Sequence, residues 1–181
     1  MKRNLWPLVM GILFLVAYCL LFTGCSGEDV DFDNPNPKTF VKQIKAGTYD
    51  TKSPYGFVEV PVFAKKDIPE LIKYVKDMST IEFFPANVVS SYGPFANYRL
   101  GECIMWTIES IRVGKYASLG CKLVHKDVNE HLQYAYLSDS EIKEVADLYI
   151  KWWYKVISQP EYNLIDPFSE NPLEGTNYRW N

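Results

Sequence analysis

The sequence has 181 residues, a formal net charge of −3 and no run or stripe of basic residues. An acidic chain without a basic face cannot neutralise a phosphate backbone, so a nucleic-acid partner is excluded. The length suffices for one domain with one hydrophobic core, and 10 Phe, 5 Trp and 13 Tyr residues predict that this core is rich in aromatic side chains.

The first residues have the order of an export signal. A basic start precedes an apolar stretch from Leu5 to Phe22, and two small residues, Thr23 and Gly24, stand directly before Cys25. Phe22 stands where a lipoprotein signal usually has an aliphatic residue. We predict a lipoprotein signal peptide over residues 1–24 and acyl chains on Cys25. The alternative is an uncleaved membrane anchor, for which 18 apolar residues are barely long enough.

Residues 25–36 are predicted to form an acidic tether between the lipid and a folded domain over residues 37–181. Four acidic side chains within eight residues keep this segment solvated: Glu28, Asp29, Asp31 and Asp33. Removal of Lys2 and Arg3 with the signal would change the net charge from −3 to −5. Since an acidic body is not attracted to anionic lipids, we expect the acyl chains on Cys25 to make the membrane contact.

Local signals predict a helix at the start of the domain and an extended segment after it. Asn36 is a good N-cap, proline follows at the first helical position, and Gly47 is suited to end a helix over 37–46. Residues 55–63 are rich in β-branched and aromatic side chains. Pro61 limits them to an extended segment or an edge strand.

A second helix is predicted over 67–78. Asp67 and Glu70 form a capping-box pattern, and apolar residues then recur at helical spacing. Residues 83–98 combine turn-forming residues with many aromatic ones, which is typical of a long loop.

Residues 99–113 form the most apolar predicted helix, and we expect protein to surround it on nearly all sides. Gly101 lies in its first turn, where glycine either costs less stability than in mid-helix or permits a close neighbour. Glu102 and Glu109 each lie three residues from an arginine, which predicts two ion pairs on the polar face that remains.

The rest of the chain carries one more strong helix signal. Residues 114–137 follow no clear period, and Ser138 opens a capping box and a long amphipathic helix to Ser158. The tail, 160–181, is predicted to wrap as a loop. The sequence thus predicts a mainly α, small single domain of packed helical hairpins, similar in pattern to HEAT-like folds, with long aromatic-rich loops and at most a minor edge strand.

The sequence contains no motif for a metal or a cofactor. The two histidines, His125 and His131, are six residues apart and do not share a helix face, although Asp127 and Glu130 lie near them. The nucleophile-elbow, phosphate-loop and dinucleotide-binding patterns do not occur. We predict neither a metal nor a cofactor.

Glu102 and Glu109 are the candidates for acid–base chemistry. They lie seven residues apart and so share a helix face, where two carboxylates in a cleft could act on a substrate. The nearby arginines favour the alternative, in which both carboxylates are ionised members of structural ion pairs.

Cys103 and Cys121 are the two cysteines left after removal of the signal and acylation of Cys25. Outside the cytoplasm they could form a disulfide. They could equally remain buried thiols, since the helix around Cys103 is apolar.

A candidate ligand site lies in the aromatic loop. Tyr92, Phe95, Asn97 and Tyr98 combine ring planes with an amide, a set that could hold a sugar or a peptide. The alternative is that these rings close the ends of helices.

Five segments resemble a family of uncharacterised Bacteroidetes lipoproteins of the domain-of-unknown-function kind. They are LFTGC with its acidic spacer, FVKQIKAGTY at 40–49, DIPELIKYVKD at 67–77, FFPANVVSSYGP at 83–94 and YRLGECIMWTIESIR at 98–112. The resemblance covers most of residues 34–157 and departs at Asn87-Val88, where the family pattern has proline after asparagine. It implies surface export through the acidic spacer, and it supplies no activity and no catalytic residue.

We therefore expect a lipid-anchored protein of the outer membrane, displayed at the cell surface or facing the periplasm. The first hypothesis is a non-enzymatic module that binds an envelope protein or a glycan. The alternative is a small, glycan-directed envelope hydrolase that uses Glu102 or Glu109, and a third hypothesis is an inhibitor or immunity-type protein.

Overall fold

The computed structural model describes residues 29–86, 98–127, 136–159 and 166–181. Within these ranges the regular elements are helices and four short strands, packed around a core whose largest fully buried side chains include Trp106, Tyr149 and Phe40.

The segment before the first helix belongs to the folded unit. Val30 is buried, and its carbonyl oxygen accepts a hydrogen bond from Thr51 Oγ1 at 3.1 Å. The carbonyl oxygen of Phe32 accepts from the N–H of Val62 at 2.8 Å. Residues 30–36, which their polar composition assigns to the tether, thus lie against the domain.

Helix α1, Pro37–Ala46, has the predicted bounds and the predicted caps. The Asn36 side chain accepts hydrogen bonds from the backbone N–H groups of Lys38 and Thr39. Gly47 ends the helix in the left-handed conformation at φ 66°, where glycine avoids the steric cost of a Cβ. The face with Phe40, Val41 and Ile44 is buried.

The predicted helix over 67–78 is wrong as one continuous element. The structure has a 3₁₀ turn at Lys65–Asp67, a single α-helical turn at Ile68–Leu71 (α2) and a second 3₁₀ turn at Ile72–Tyr74. The Asp67 side chain does not accept a hydrogen bond from a later N–H group of the helix, as the predicted capping box requires. Its carboxylate accepts from the N–H of Ala64, three residues earlier, at 2.8 Å.

The next helix, α3, spans Leu100–Val113. Carbonyl groups at the end of the preceding segment accept hydrogen bonds from its first N–H groups. The first N–H groups of a helix have no partner within it, and Arg99 at the N-cap gives no side-chain bond. The N–H of Leu100 instead donates to the Ser79 carbonyl at 3.0 Å, and that of Gly101 donates to the Asp77 carbonyl at 2.7 Å. These bonds explain why residues 77–79 leave the helical path.

Helix α3 is the centre of the domain, as its composition predicts. Every residue from Leu100 to Glu109 is buried. Gly101 provides the close approach, because a Cβ there would lie 2.8 Å from the Val75 carbonyl carbon and closer still to its oxygen.

The four strands form two antiparallel pairs. Strand β1, Thr80–Ile81, pairs with β2, Tyr98–Arg99, and β3, Leu123–His125, pairs with β4, Tyr178–Trp180. The second pair joins the region between the long helices to the tail, which is therefore not the plain loop that we predicted.

Helix α4, Asp139–Ser158, closes the core on one side of α3. Ser138 and Glu141 form the predicted capping box, and the buried face of α4 includes Tyr149 and Trp152. The structure confirms a small single domain with substantial helix. It does not confirm the HEAT-like arrangement of helical hairpins, because two small sheets and irregular segments separate the helices. Among the described residues, no helix is both long and apolar enough to cross a bilayer.

Candidate functional site

An open groove of about 500 Å³ lies between α3 and the extended segment 59–63. Its volume falls within the range of small-molecule and side-chain pockets in proteins. One wall is the extended segment, the floor comes from α3, and the opposite wall is the turn after α3. The lining residues are Phe32, residues 59–63, Trp106, Thr107, Ser110, Ile111 and residues 114–116.

Two stacked rings form one wall of this groove. Tyr116 lies on Trp106 with ring centroids 5.8 Å apart and an interplanar angle of 22°. Trp106 is fully buried and donates from Nε1 to Ser118 Oγ at 3.1 Å, whereas Tyr116 is exposed. Tyr116 thus offers one ring face to a ligand while Trp106 fixes its position.

Glu59 supplies the carboxylate of the groove. It accepts hydrogen bonds from Ser53 Oγ at 3.0 Å and from the Tyr116 hydroxyl at 3.1 Å. Burial, together with the Glu59 carboxylate, raises the pKa of Tyr116. The hydroxyl therefore stays protonated near neutral pH and holds the ring across the groove.

The groove was not predicted from the sequence, because its walls come from three segments that are distant along the chain. Phe32 lies before α1, the extended segment lies between α1 and α2, and the aromatic pair lies on and after α3. The sequence signal that could have indicated it is the run 55–63, in which Pro61 lacks the N–H group that a regular strand pairing needs.

Glu102 is buried with 1% of its surface exposed, so it is not on a solvated polar face as predicted. Its carboxylate accepts from Lys122 Nζ at 2.9 Å and from the N–H of Leu123 at 2.8 Å. The predicted partner, Arg99, pairs with Asp139 instead. Burial raises the pKa of Glu102, and the Lys122 charge opposes that rise.

Glu109 is also buried, and it forms the predicted pair with Arg112. The guanidinium donates twice to the carboxylate, from Nε at 2.8 Å and from Nη2 at 2.6 Å. The Tyr149 hydroxyl adds a third bond at 3.0 Å, and it accepts in turn from Trp180 Nε1 at 3.0 Å. Glu109 thus connects α3, α4 and β4.

These two carboxylates do not form a shared catalytic cleft. Each is closed off from solvent, is bonded to a cation and to a further donor, and lies outside the lining of the groove. Neither side chain therefore faces the groove.

A family model described as "Domain of unknown function (DUF4943)" matches residues 31–181. The chain belongs to the DUF4943 family. Comparison with curated proteins and with solved structures found no match. The matched region of this DUF4943 domain begins at Asp31, next to the buried Val30.

The two cysteines of the DUF4943 domain are adjacent and buried. Both are free thiols in the structure, and the Cys103 side chain lies within hydrogen-bonding distance of Cys121. Burial raises the pKa of the Cys121 thiol well above its usual value. The disulfide stays a prediction.

The proposed ligand loop lies mostly outside the described residues. Tyr92, Phe95 and Asn97 fall in the gap 87–97, and Tyr98 is the one member that the structure places. Tyr98 lies in β2 with its ring 5.4 Å from Lys122 Nζ, and burial raises its pKa to about 12. Tyr98 is not part of the groove lining.

Within the described residues, the structure does not bring together the histidine and acidic side chains that we considered as metal ligands. His125 Nε2 contacts Glu141 Oε1 at 3.1 Å, while His131 and Glu130 lie outside the described residues. In the ranges that the structure covers, no three acidic, histidine or cysteine side chains are placed to hold a metal ion.

Proposed function

We propose that this DUF4943 domain is a non-enzymatic binding module of the cell envelope, and that the groove between α3 and the extended segment 59–63 receives an apolar side chain of a protein partner. The observation that carries this proposal is the exposed Tyr116 ring, held by Trp106 and by Glu59 on the edge of an open, mainly apolar groove.

The chemistry of the lining favours a protein segment over a glycan. Sugars need several polar groups that converge on their hydroxyls, whereas this groove is lined mainly by aliphatic and aromatic side chains. Glu59 already accepts from Ser53 and Tyr116, so it has limited capacity left for a ligand.

The hydrolase alternative is less favoured because Glu102 and Glu109 are buried and fully bonded. Within the described residues their contacts account for a structural role in joining α3 to its neighbours.

The proposal includes a lipid anchor at Cys25 in the outer membrane, with the domain at the cell surface. The support is the order of the first 25 residues and the acidic residues that follow them. Membrane fractionation of Cys25→Ala tests it. We expect the variant to leave the membrane fraction, and a variant that stays membrane-bound would mean that residues 5–22 act as an anchor.

A change that fills the groove tests the binding function. Val62 lines the groove with 56% of its surface exposed, so Val62→Trp should block the groove without unfolding the domain. The matched control is Ile157→Trp on α4, because Ile157 is also 56% exposed and lies outside this groove.

The probe is a pool of capped hexapeptides with a central Leu or Phe, titrated into the mature protein by calorimetry. We expect Val62→Trp to weaken binding about tenfold or more, a loss of roughly 1.4 kcal/mol, while Ile157→Trp leaves it unchanged. Equal effects of the two variants, or no binding by the wild type, would contradict the proposal.

A further inference from the structure

The folded unit begins very close to the predicted lipid site. Val30 is buried and bonded to Thr51, and it is five residues after Cys25 in the sequence. Five residues of fully extended chain span at most about 18 Å. If Cys25 carries acyl chains, the surface around Val30 is therefore held within that distance of the membrane.

A small hairpin of residues 52–58 directly follows Thr51, the residue that is bonded to Val30, and Lys52 pairs with Val58 across its base. The N–H of Ser53 donates to the Phe57 carbonyl at 2.8 Å. The tip turns at Gly56, whose N–H donates to the Ser53 carbonyl at 2.9 Å and whose φ of 83° requires glycine.

The hairpin tip presents two aromatic side chains to solvent. Tyr55 is 84% exposed, and Phe57 is 52% exposed. Tyr55 is four residues from Thr51, so at full extension the tip lies no more than about 14 Å from the point where the tether joins the domain. Tyrosine is enriched at membrane–water interfaces, where its ring lies at the level of the headgroups. Phenylalanine is common on the apolar face of segments that lie in this interface.

We propose that the hairpin of residues 52–58 rests on the bilayer that holds the lipid anchor, with Tyr55 and Phe57 inserted at the level of the lipid headgroups. The inference rests on the proposed anchoring at Cys25. It adds a second membrane contact, which orients the domain and directs a defined face toward the partner.

The charges around the tether decide the nature of this contact. Asp29, Asp31, Asp33 and Asp50 are exposed and lie near Val30 or Thr51 along the chain, and they outnumber the one exposed cation of the hairpin, Lys52. An acidic surface is not drawn to anionic headgroups. The contact is therefore apolar and suited to a zwitterionic lipid, and it should change little with ionic strength.

The test measures the depth of the hairpin in the acylated mature protein, which begins at Cys25, placed in phosphatidylcholine vesicles. A fluorophore is attached at Tyr55→Cys, and nitroxide-labelled phosphatidylcholine quenches it in proportion to its proximity. The matched control carries the label at Tyr154→Cys, because Tyr154 is also a highly exposed tyrosine but lies on α4. The native thiols, Cys103 and Cys121, are buried and do not compete for the label.

We expect quenching at position 55 to be several-fold stronger than at position 154 and to persist at high salt. Equal quenching at the two positions, or stronger quenching at 154, would overturn the proposal. The intact mass of the same preparation reports acylation of Cys25 separately. A mature protein without acyl mass would contradict the anchoring itself, and with it the hairpin contact that depends on it.

Discussion

Replacement of Glu109 by glutamine tests the structural role of this buried carboxylate. In the folded protein, Glu109 accepts two bonds from Arg112 and one from Tyr149. Glutamine has nearly the same shape but no charge, so Glu109→Gln leaves the Arg112 guanidinium largely buried without its counter-ion.

The structure gives the expected magnitude. The Glu109 and Arg112 side chains are 7% and 10% exposed, so solvent can replace the lost carboxylate only in part. Removal of one partner of a buried pair costs about 3–5 kcal/mol, and we expect about 3 because the glutamine oxygen still accepts a bond. For a domain of this size that corresponds to a fall in Tm of roughly 6–12 °C.

Chemical denaturation followed by circular dichroism measures this loss, with Glu70→Gln as the control. Glu70 pairs with Lys73 at the same i,i+3 spacing and the same 2.6 Å distance, but the Lys73 side chain is 60% exposed. A pair of that kind contributes less than about 1 kcal/mol. Equal losses in the two variants would refute the assignment of Glu109 as a buried structural link.

Two further predictions concern the packing of α3. Gly101→Ala should lower the free energy of unfolding by about 1–2 kcal/mol in the same assay, because the clash with the Val75 backbone outweighs the better helix propensity of alanine. A more stable Gly101→Ala would show that this contact can relax. Cys103 and Cys121 should resist alkylation in the native protein and react after unfolding, since both are buried and burial raises the pKa of Cys121. Rapid labelling of the native protein would contradict this, and a mass gain of two hydrogens on reduction would show a disulfide in place of the thiols.

The parts of the fold that could be predicted are those set by local chemistry. Asn36 and Gly47 define α1 to the residue, since a side-chain cap and a left-handed glycine act within one turn of the chain. Ser138 and Glu141 define the start of α4 in the same way.

The parts that could not be predicted depend on distant partners. Strands β3 and β4 have three residues each, too few to show an alternating pattern, and they pair across more than fifty residues. The departure of residues 77–79 from the helical path predicted for 67–78 goes with Leu100 and Gly101, whose N–H groups donate to the carbonyls of residues 79 and 77.

The candidate site was predicted least well, for the same reason. Glu102 was expected to pair with Arg99 within its own helix, and its real partner, Lys122, lies twenty residues away. The groove residues come from segments that carry no common motif, and only the folded chain brings Tyr116 to Glu59.

The most direct test of the proposed binding function is the location of the bound peptide. A ¹⁵N-correlation spectrum of the mature protein, titrated with the hexapeptide pool, reports the Trp106 indole N–H and the backbone N–H groups of residues 59, 60, 62, 63 and 114–116. If the groove binds the peptide, the shifts are confined to these groups and are absent in Val62→Trp. Shifts that fall elsewhere, or no shift with any peptide, would contradict it.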